Sequence, residues 1–490
     1  MASPGAVPLK RLSRTEHLRV LKSLFGDLSG IALELPDDPS AGGFENNAEA
    51  LGPNNLWWRD AFAVAQTVAQ AKAESAIAPL GCGPQVQDRL SCGQRFVREF
   101  GRRVFRRPLS SEEETAYGRF FAQTPGVASD EAWQASVQLT VQAMLVSPQF
   151  LYHFEWANGG AAHGYDVASR LSFFLWQSGP DDELLAAAED GQLDTKEGVA
   201  AQVARLVASE RARTAFEDIA RQWLDIDRLD RVNKLPEDAF GELRYPMREE
   251  ARRFVGTLFE EGGSLADLVT SRTSFVDARL APLYGVAPPP EGWVRRTLPE
   301  ERSAGILTQS AFLASHAHPL APSPVLRGVF VLGRLLCQRI PNPEAGVDVT
   351  PPAIPEGSTN RQAYVAKTEV DRCKSCHTLI NYHGYPFENF DTLGRYRDKD
   401  GQRAVDATGV VLEGPVSGAR AFAEALAKEP TYLGCVARFF SHYAMGGAGY
   451  AQDECWQERL AEVVNPSTEL RALMRDIATD PMFVKQEVAP

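Results

Sequence analysis

No stretch of this chain of 490 residues reaches the roughly 18 consecutive apolar residues that a membrane-spanning helix needs. The best run, Val325 to Leu336, is short and is interrupted by Arg327 and Arg334. Excess basic charge is also missing. Acidic side chains number 64 against 51 basic ones, a formal charge of −13, which argues against nucleic acid as a partner. There is no H-E-x-x-H, no G-x-S-x-G and no P-loop, so the usual signatures of metallohydrolases, serine hydrolases and nucleotide-binding enzymes are absent. Met1 to Lys10 lacks the charged start and apolar run of a signal peptide. Periodic sequence begins almost at once, near Leu9, and the expectation is that an export signal has been removed from this numbering.

Cysteine is scarce but informative. Five of the seven are scattered, and two stand in Cys373-Lys374-Ser375-Cys376-His377. This C-x-x-C-H run is the attachment sequence of a c-type haem. Each thiol can add to one porphyrin vinyl group, and the adjacent histidine is placed to bind the iron as proximal ligand. The same pair would serve as half of a zinc site, but the second half, two more ligands at similar spacing, is missing. A redox pair or a structural disulfide is the other alternative. Cys82 and Cys92 close a short polar loop, and Cys435 and Cys455 a longer one around a Gly-rich turn. Both are expected as disulfides, leaving Cys337 as a buried thiol. Disulfides and haem c both indicate an oxidising compartment: periplasmic, cell-surface or secreted.

Periodicity is mostly helical. Arg14 to Leu28 places Leu18, Leu21, Leu24 and Phe25 on one face, and Trp57 to Lys72 and Gln94 to Arg106 continue in kind. Ser110 to Glu114 is a capping-box start. Arg102, Arg103, Arg106 and Arg107 read as a solvated face with ion pairs to Glu112–Glu114. Trp57-Trp58 reads as core. The segment 276–300 is loop-like, Ile340 to Gly357 is a Pro-rich linker, and Gln457 to Thr479 is helical. Asp398 to Gly401 lacks the glycine and closing glutamate of a calcium loop, and reads as a turn between two short strands.

The sequence resembles a known group. The segments that carry the likeness are Leu12–His17 with Leu24–Asp27 and Gly42–Ala48, then Phe100–Leu109, then Leu145–Tyr152 with Ser169–Trp176. Arg302–Gln309, Ser323–Gly328, Cys376-His377, Phe387–Asp391 and Gly394-Arg395 follow, and Cys435–Gly446 with Met474–Phe483 closes the series. In this order they resemble the multidomain proteins of unknown function of planctomycetes and myxobacteria, built from planctomycete-specific domains around a cytochrome-c-like domain. The resemblance implies a mainly α, multidomain helical protein with a cytochrome-c-like haem domain and a minor β-hairpin. The expected domains are 9–75, 80–125 (with the disulfide), 133–270, 302–400 (with C-x-x-C-H) and 415–487. Such relatives usually carry an export or lipoprotein signal upstream, so a lipid anchor there is an open expectation.

One covalent haem c is therefore expected, held by Cys373, Cys376 and His377. Met445, His316 and His318 are the alternatives for the sixth iron ligand. His383 and His442 are weaker ones, and an open iron is the remaining case. Relatives usually have another apolar residue in place of Met445. Arg395 either meets a haem propionate or pairs with Asp391. The resulting expectation is electron transfer or haem-dependent oxidoreductase chemistry, with a redox protein or a small electron donor or acceptor as partner. A haem-free secreted scaffold, or an accessory of extracellular polymer degradation, is the rival reading.

Overall fold

The computed structural model describes residues 9–52, 54–82, 87–122, 129–154, 163–341, 343, 345–447 and 454–484. Helices dominate, and the strands among these residues form four antiparallel pairs. The chain divides into two bodies. One comprises Met1–Ala215, Ser441–Asp453 and Met474–Pro490; the other comprises Phe216–Phe440 and Glu454–Leu473. The mainly α, multidomain expectation is met.

The first body begins with β1 (Lys10–Arg11), which pairs with β2 (Tyr152–His153). Ser13 and Glu16 form a reciprocal capping box that starts α1 (Arg14–Phe25). Gly26, at φ 74°, ends the helix before Leu28. Next come α2 (Asn55–Ile77), α3 (Arg89–Phe105), α4 (Ser111–Ala122) and α5 (Asp130–Leu145). Trp57, Phe96, Phe121, Trp133 and Val137 share one core, so Trp57 is a packing residue. The Cys82–Cys92 bond forms as expected.

The arginine run behaves less uniformly than its sequence suggests. Arg107 forks onto Glu113 with two bonds of 2.8 Å, but Arg102 pairs with Glu189 and Arg103 with Asp182. Arg106 is buried, donating to the Gln149, Phe150 and Tyr152 carbonyls. A buried guanidinium satisfied by carbonyls cannot be told from a solvated one by local sequence.

In the second body the segment 276–300, read as a loop, carries the strand β4 (Val294–Thr297), which pairs antiparallel with β3 (Thr273–Val276) at its start. The turn at Asp398–Gly401 is confirmed: β5 (Lys399–Asp400) pairs with β6 (Arg403–Ala404). A further hairpin joins β7 (Thr408–Val411) to β8 (Gly414–Ser417). The helical run near the C-terminus is two helices, Glu454–Val463 and Leu470–Thr479, separated around Pro466, which has no N–H to donate to a helix.

The second disulfide corrects the pairing read from sequence. Cys435 bonds Cys337, with Cα atoms 5.4 Å apart, and not Cys455. Sequence proximity favoured the shorter loop, but the entropy of closing a loop grows only slowly with its length. Tertiary placement therefore decides.

Two helices lie against the one that carries the C-x-x-C-H segment: α6 (Pro324–Phe330), which runs into a π-helical turn over Val331–Leu335, and α7 (Asn360–Thr368) pack on α8 (Asp371–Gly384). The α6 and α8 helices pack directly on each other, and glycine makes the closeness feasible. A Cβ on Gly384 would stand 1.9 Å from the Pro324 carbonyl oxygen. Arg327, wholly buried on α6, donates to the carbonyls of Phe387 (2.8 Å), Phe390 (3.2 Å) and Asp391 (3.0 Å). The apolar run that came nearest to a membrane span is therefore a core helix whose arginine clips the segment following α8. No helix among the described residues is long and apolar enough to cross a membrane.

Candidate functional site

The C-x-x-C-H residues occupy the first two turns of α8. The Cys373 and Lys374 N–H groups both donate to the Val370 carbonyl, at 2.8 and 2.9 Å, which opens the helix. Residues three apart on a helix lie on one face, so Cys373 and Cys376 stand on the same side of α8. Both thiols are free, Cys373 half-buried and Cys376 exposed. Two apolar side chains flank them in the open, Val370 at 50% and Leu379 at 43% exposure. Among the described residues no three His, Cys, Asp or Glu side chains come together as a metal cluster.

His377 is half-buried and tethered. Its Nδ1 lies 3.1 Å from Asn381 Oδ1, one turn along α8. Asn381 is buried, and its amide nitrogen donates to Thr368 Oγ1 (2.8 Å) and to the Tyr385 hydroxyl (3.3 Å). Thr368 in turn donates to the Tyr364 carbonyl at 2.7 Å. Burial pushes the Tyr385 phenol up to about 12, so it stays a neutral hydroxyl. Asn381, Thr368 and Tyr385 were not singled out from sequence. His377, Asn381 and Tyr385 recur every four residues, which was a readable helical stripe; Thr368 lies on α7 and left no local signal.

The other histidines fall in different settings. His383 is buried with both ring nitrogens engaged: Nδ1 at 2.8 Å from the Leu379 carbonyl, and Nε2 accepting from the Leu412 N–H at 3.2 Å. His316 is buried between Phe312 and Phe330, with ring centroids 4.8 and 4.7 Å away. Its Nδ1 sits 3.0 Å from the Phe312 carbonyl, and burial pushes its pKa down to about 3. His318 is half-buried, and its carbonyl accepts from Lys234 Nζ and Thr392 Oγ1. Met445 is buried and belongs to the first body, as does His442. Arg395 is half-exposed, 3.5 Å from Asp391 Oδ2, so the Asp391–Arg395 ion pair is formed.

Four family models match along the chain. PSD3, a protein of unknown function (DUF1587), covers residues 10–73, and PSD5, a protein of unknown function (DUF1595), covers 92–155. PSD4, a protein of unknown function (DUF1592), covers 163–286, and PSCyt3, a protein of unknown function (DUF1588), covers 303–400. The chain is one of the multidomain proteins of unknown function built from these planctomycete-type domains. PSCyt3 is a cytochrome-c-like domain family, and its match in this multidomain chain spans Arg327, the free thiols, His377 and Asn381. No curated protein and no solved structure matches the chain.

Proposed function

We propose that the protein is an exported c-type haem protein that acts in electron transfer or in haem-dependent oxidoreductase chemistry. One observation carries this reading. Two unjoined thiols share an outward helical face, and the histidine beside them is tethered through Nδ1. That donor set fits haem c: Cys373 and Cys376 would hold the porphyrin as thioethers, and His377 would offer Nε2 to the iron. The exposed Val370 and Leu379 suit an apolar ring lying nearby. Haem c would supply one-electron exchange at this position. The cytochrome-c-like family match is compatible with it, and the two disulfides suit an oxidising compartment.

The chain's own residues do the positioning. Asn381 and Tyr385 lie behind His377, while Arg327 and the glycine-lined crossing fix α8 on α6. Arg395 is the proposed partner of a haem propionate, in competition with Asp391. Of the sixth-ligand alternatives within the second body, His316 and His383 are engaged in packing and internal hydrogen bonds, which favours His318 or an open iron. A redox protein or a small electron donor or acceptor is the proposed partner.

The test is expression with an export signal in a host that matures c-type cytochromes. A haem stain on a denaturing gel and a reduced-minus-oxidised spectrum are then recorded. The expected result is one covalent haem per chain, lost in the double variant Cys373→Ser/Cys376→Ser. Carbon monoxide binding would assign an open iron. A colourless protein, with a control cytochrome maturing normally, would overturn the proposal and leave a haem-free binding or scaffold protein.

A further inference from the structure

We infer that Asn381 is the positioning residue of His377: it fixes the imidazole as the Nδ1–H tautomer and so leaves the lone pair on Nε2. The inference deepens the c-type haem reading and rests on it for its consequence, though not for its geometry.

The Thr368 hydroxyl proton is committed to the Tyr364 carbonyl, so Thr368 Oγ1 faces Asn381 as an acceptor. An acceptor there requires the amide nitrogen of Asn381, which fixes the orientation of the side chain. The second amide hydrogen goes to the Tyr385 hydroxyl. Turned the other way, Asn381 would set its oxygen against Thr368 Oγ1, two buried acceptors without a proton between them, a costly arrangement. Oδ1 therefore faces His377, and only an N–H on Nδ1 satisfies that contact. A neutral imidazole protonated at Nδ1 has its lone pair on Nε2, the state a metal ligand needs. A partner on the second ring nitrogen also raises the basicity of the first toward a metal.

The first readout needs no haem. In the haem-free full chain with 15N-labelled histidine, long-range 1H–15N correlation should report His377 as the Nδ1–H tautomer. Asn381→Leu should shift it to Nε2–H. Thr368→Val, which leaves His377 and Asn381 in place but removes the acceptor that orients the amide, should shift it partly in the same direction. An Nε2–H His377 in the parent chain, or no change in either variant while the remaining amide spectrum stays intact, would overturn the inference. The second readout is the haem-loaded protein. Its reduction potential should rise in Asn381→Leu and fall in Asn381→Asp, because a carboxylate draws the Nδ1 proton and makes the imidazole a stronger donor to ferric iron. Equal potentials in all three would overturn it. A chain that shows the tautomer shift but never acquires haem sinks the haem reading alone.

Discussion

Gly328 on α6 lies against the Ile380 carbonyl of α8 so closely that a Cβ there would stand 1.9 Å from its oxygen. Real Cβ atoms do not approach an oxygen that closely, and the obstacle is helix backbone, which cannot rotate aside. Gly328→Ala should therefore push α6 off α8 and loosen the segment carrying Cys373 to His377. Overpacking of this kind costs about 1–3 kcal/mol, and more where backbone is the obstacle. Gly241→Ala is the control, because an added methyl there meets nothing within 4 Å in the interior of the helix Glu237–Glu260. It should stabilise by roughly 0.5–1 kcal/mol. Hydrogen exchange across α6 and α8 reads the difference: faster exchange in Gly328→Ala and none in Gly241→Ala is expected, and equal protection in both would contradict the crossing.

Arg327 offers a second, chemically distinct probe of the same region. Its guanidinium spreads donors over the Phe387, Phe390 and Asp391 carbonyls, which a planar fork can do and a single ammonium cannot. Arg327→Lys keeps the charge but strands buried carbonyls, each at a cost of about 1–3 kcal/mol. Limited proteolysis should then cut within 385–397 in the variant and spare the parent chain. An unchanged digestion pattern would mean that the clip is dispensable.

Much of the local structure was legible because it is set by neighbours in sequence. The capping boxes at Ser13 and Ser110 and the turn at Asp398–Gly401 all rest on residues within five positions of each other. The thiol pair and the adjacent histidine were legible for the same reason. What was not legible depends on chain segments far apart. Arg327 reads as an interruption in an apolar run, and only its distant carbonyl partners show it to be a clip. Arg106 looks like its solvated neighbours until the Phe150 and Tyr152 carbonyls surround it. Thr368 reaches Asn381 only through the turn between α7 and α8.

Cys435 is the plainest case of this limit and yields its own test. Its bond to Cys337 spans a sequence separation of 98 residues, for which the loop-entropy account gives roughly 4–5 kcal/mol. Non-reducing peptide mapping should recover the fragment containing Cys435 joined to that containing Cys337. Cys337→Ser should lower the unfolding temperature in the absence of reductant. It should also remove most of the response to reductant shown by the second body. Recovery of Cys435 joined to Cys455 would restore the pairing expected from sequence.

Glu250 makes stability depend on pH in a calculable direction. It is wholly buried, and its carboxyl accepts from the Ser274 hydroxyl. Burial, helped by nearby Asp277 and opposed by the hydrogen bond from Ser274, raises its pKa from 4.5 to about 8. The folded chain thus holds this proton more tightly than the unfolded one. Below the unfolded pKa both states are protonated and the full stability is present. As pH rises the unfolded state ionises first, so stability falls, and the contribution is lost as pH passes the folded value. Between about pH 5 and about pH 8 the loss should be on the order of a few kcal/mol. Glu250→Gln cannot ionise and should lack that component. Urea unfolding of both chains at the two pH values measures it: the parent should lose more stability than the variant on going to the higher pH. Parallel losses would show that the Glu250 carboxyl ionises in the folded protein as readily as in the unfolded one and adds no pH dependence of its own.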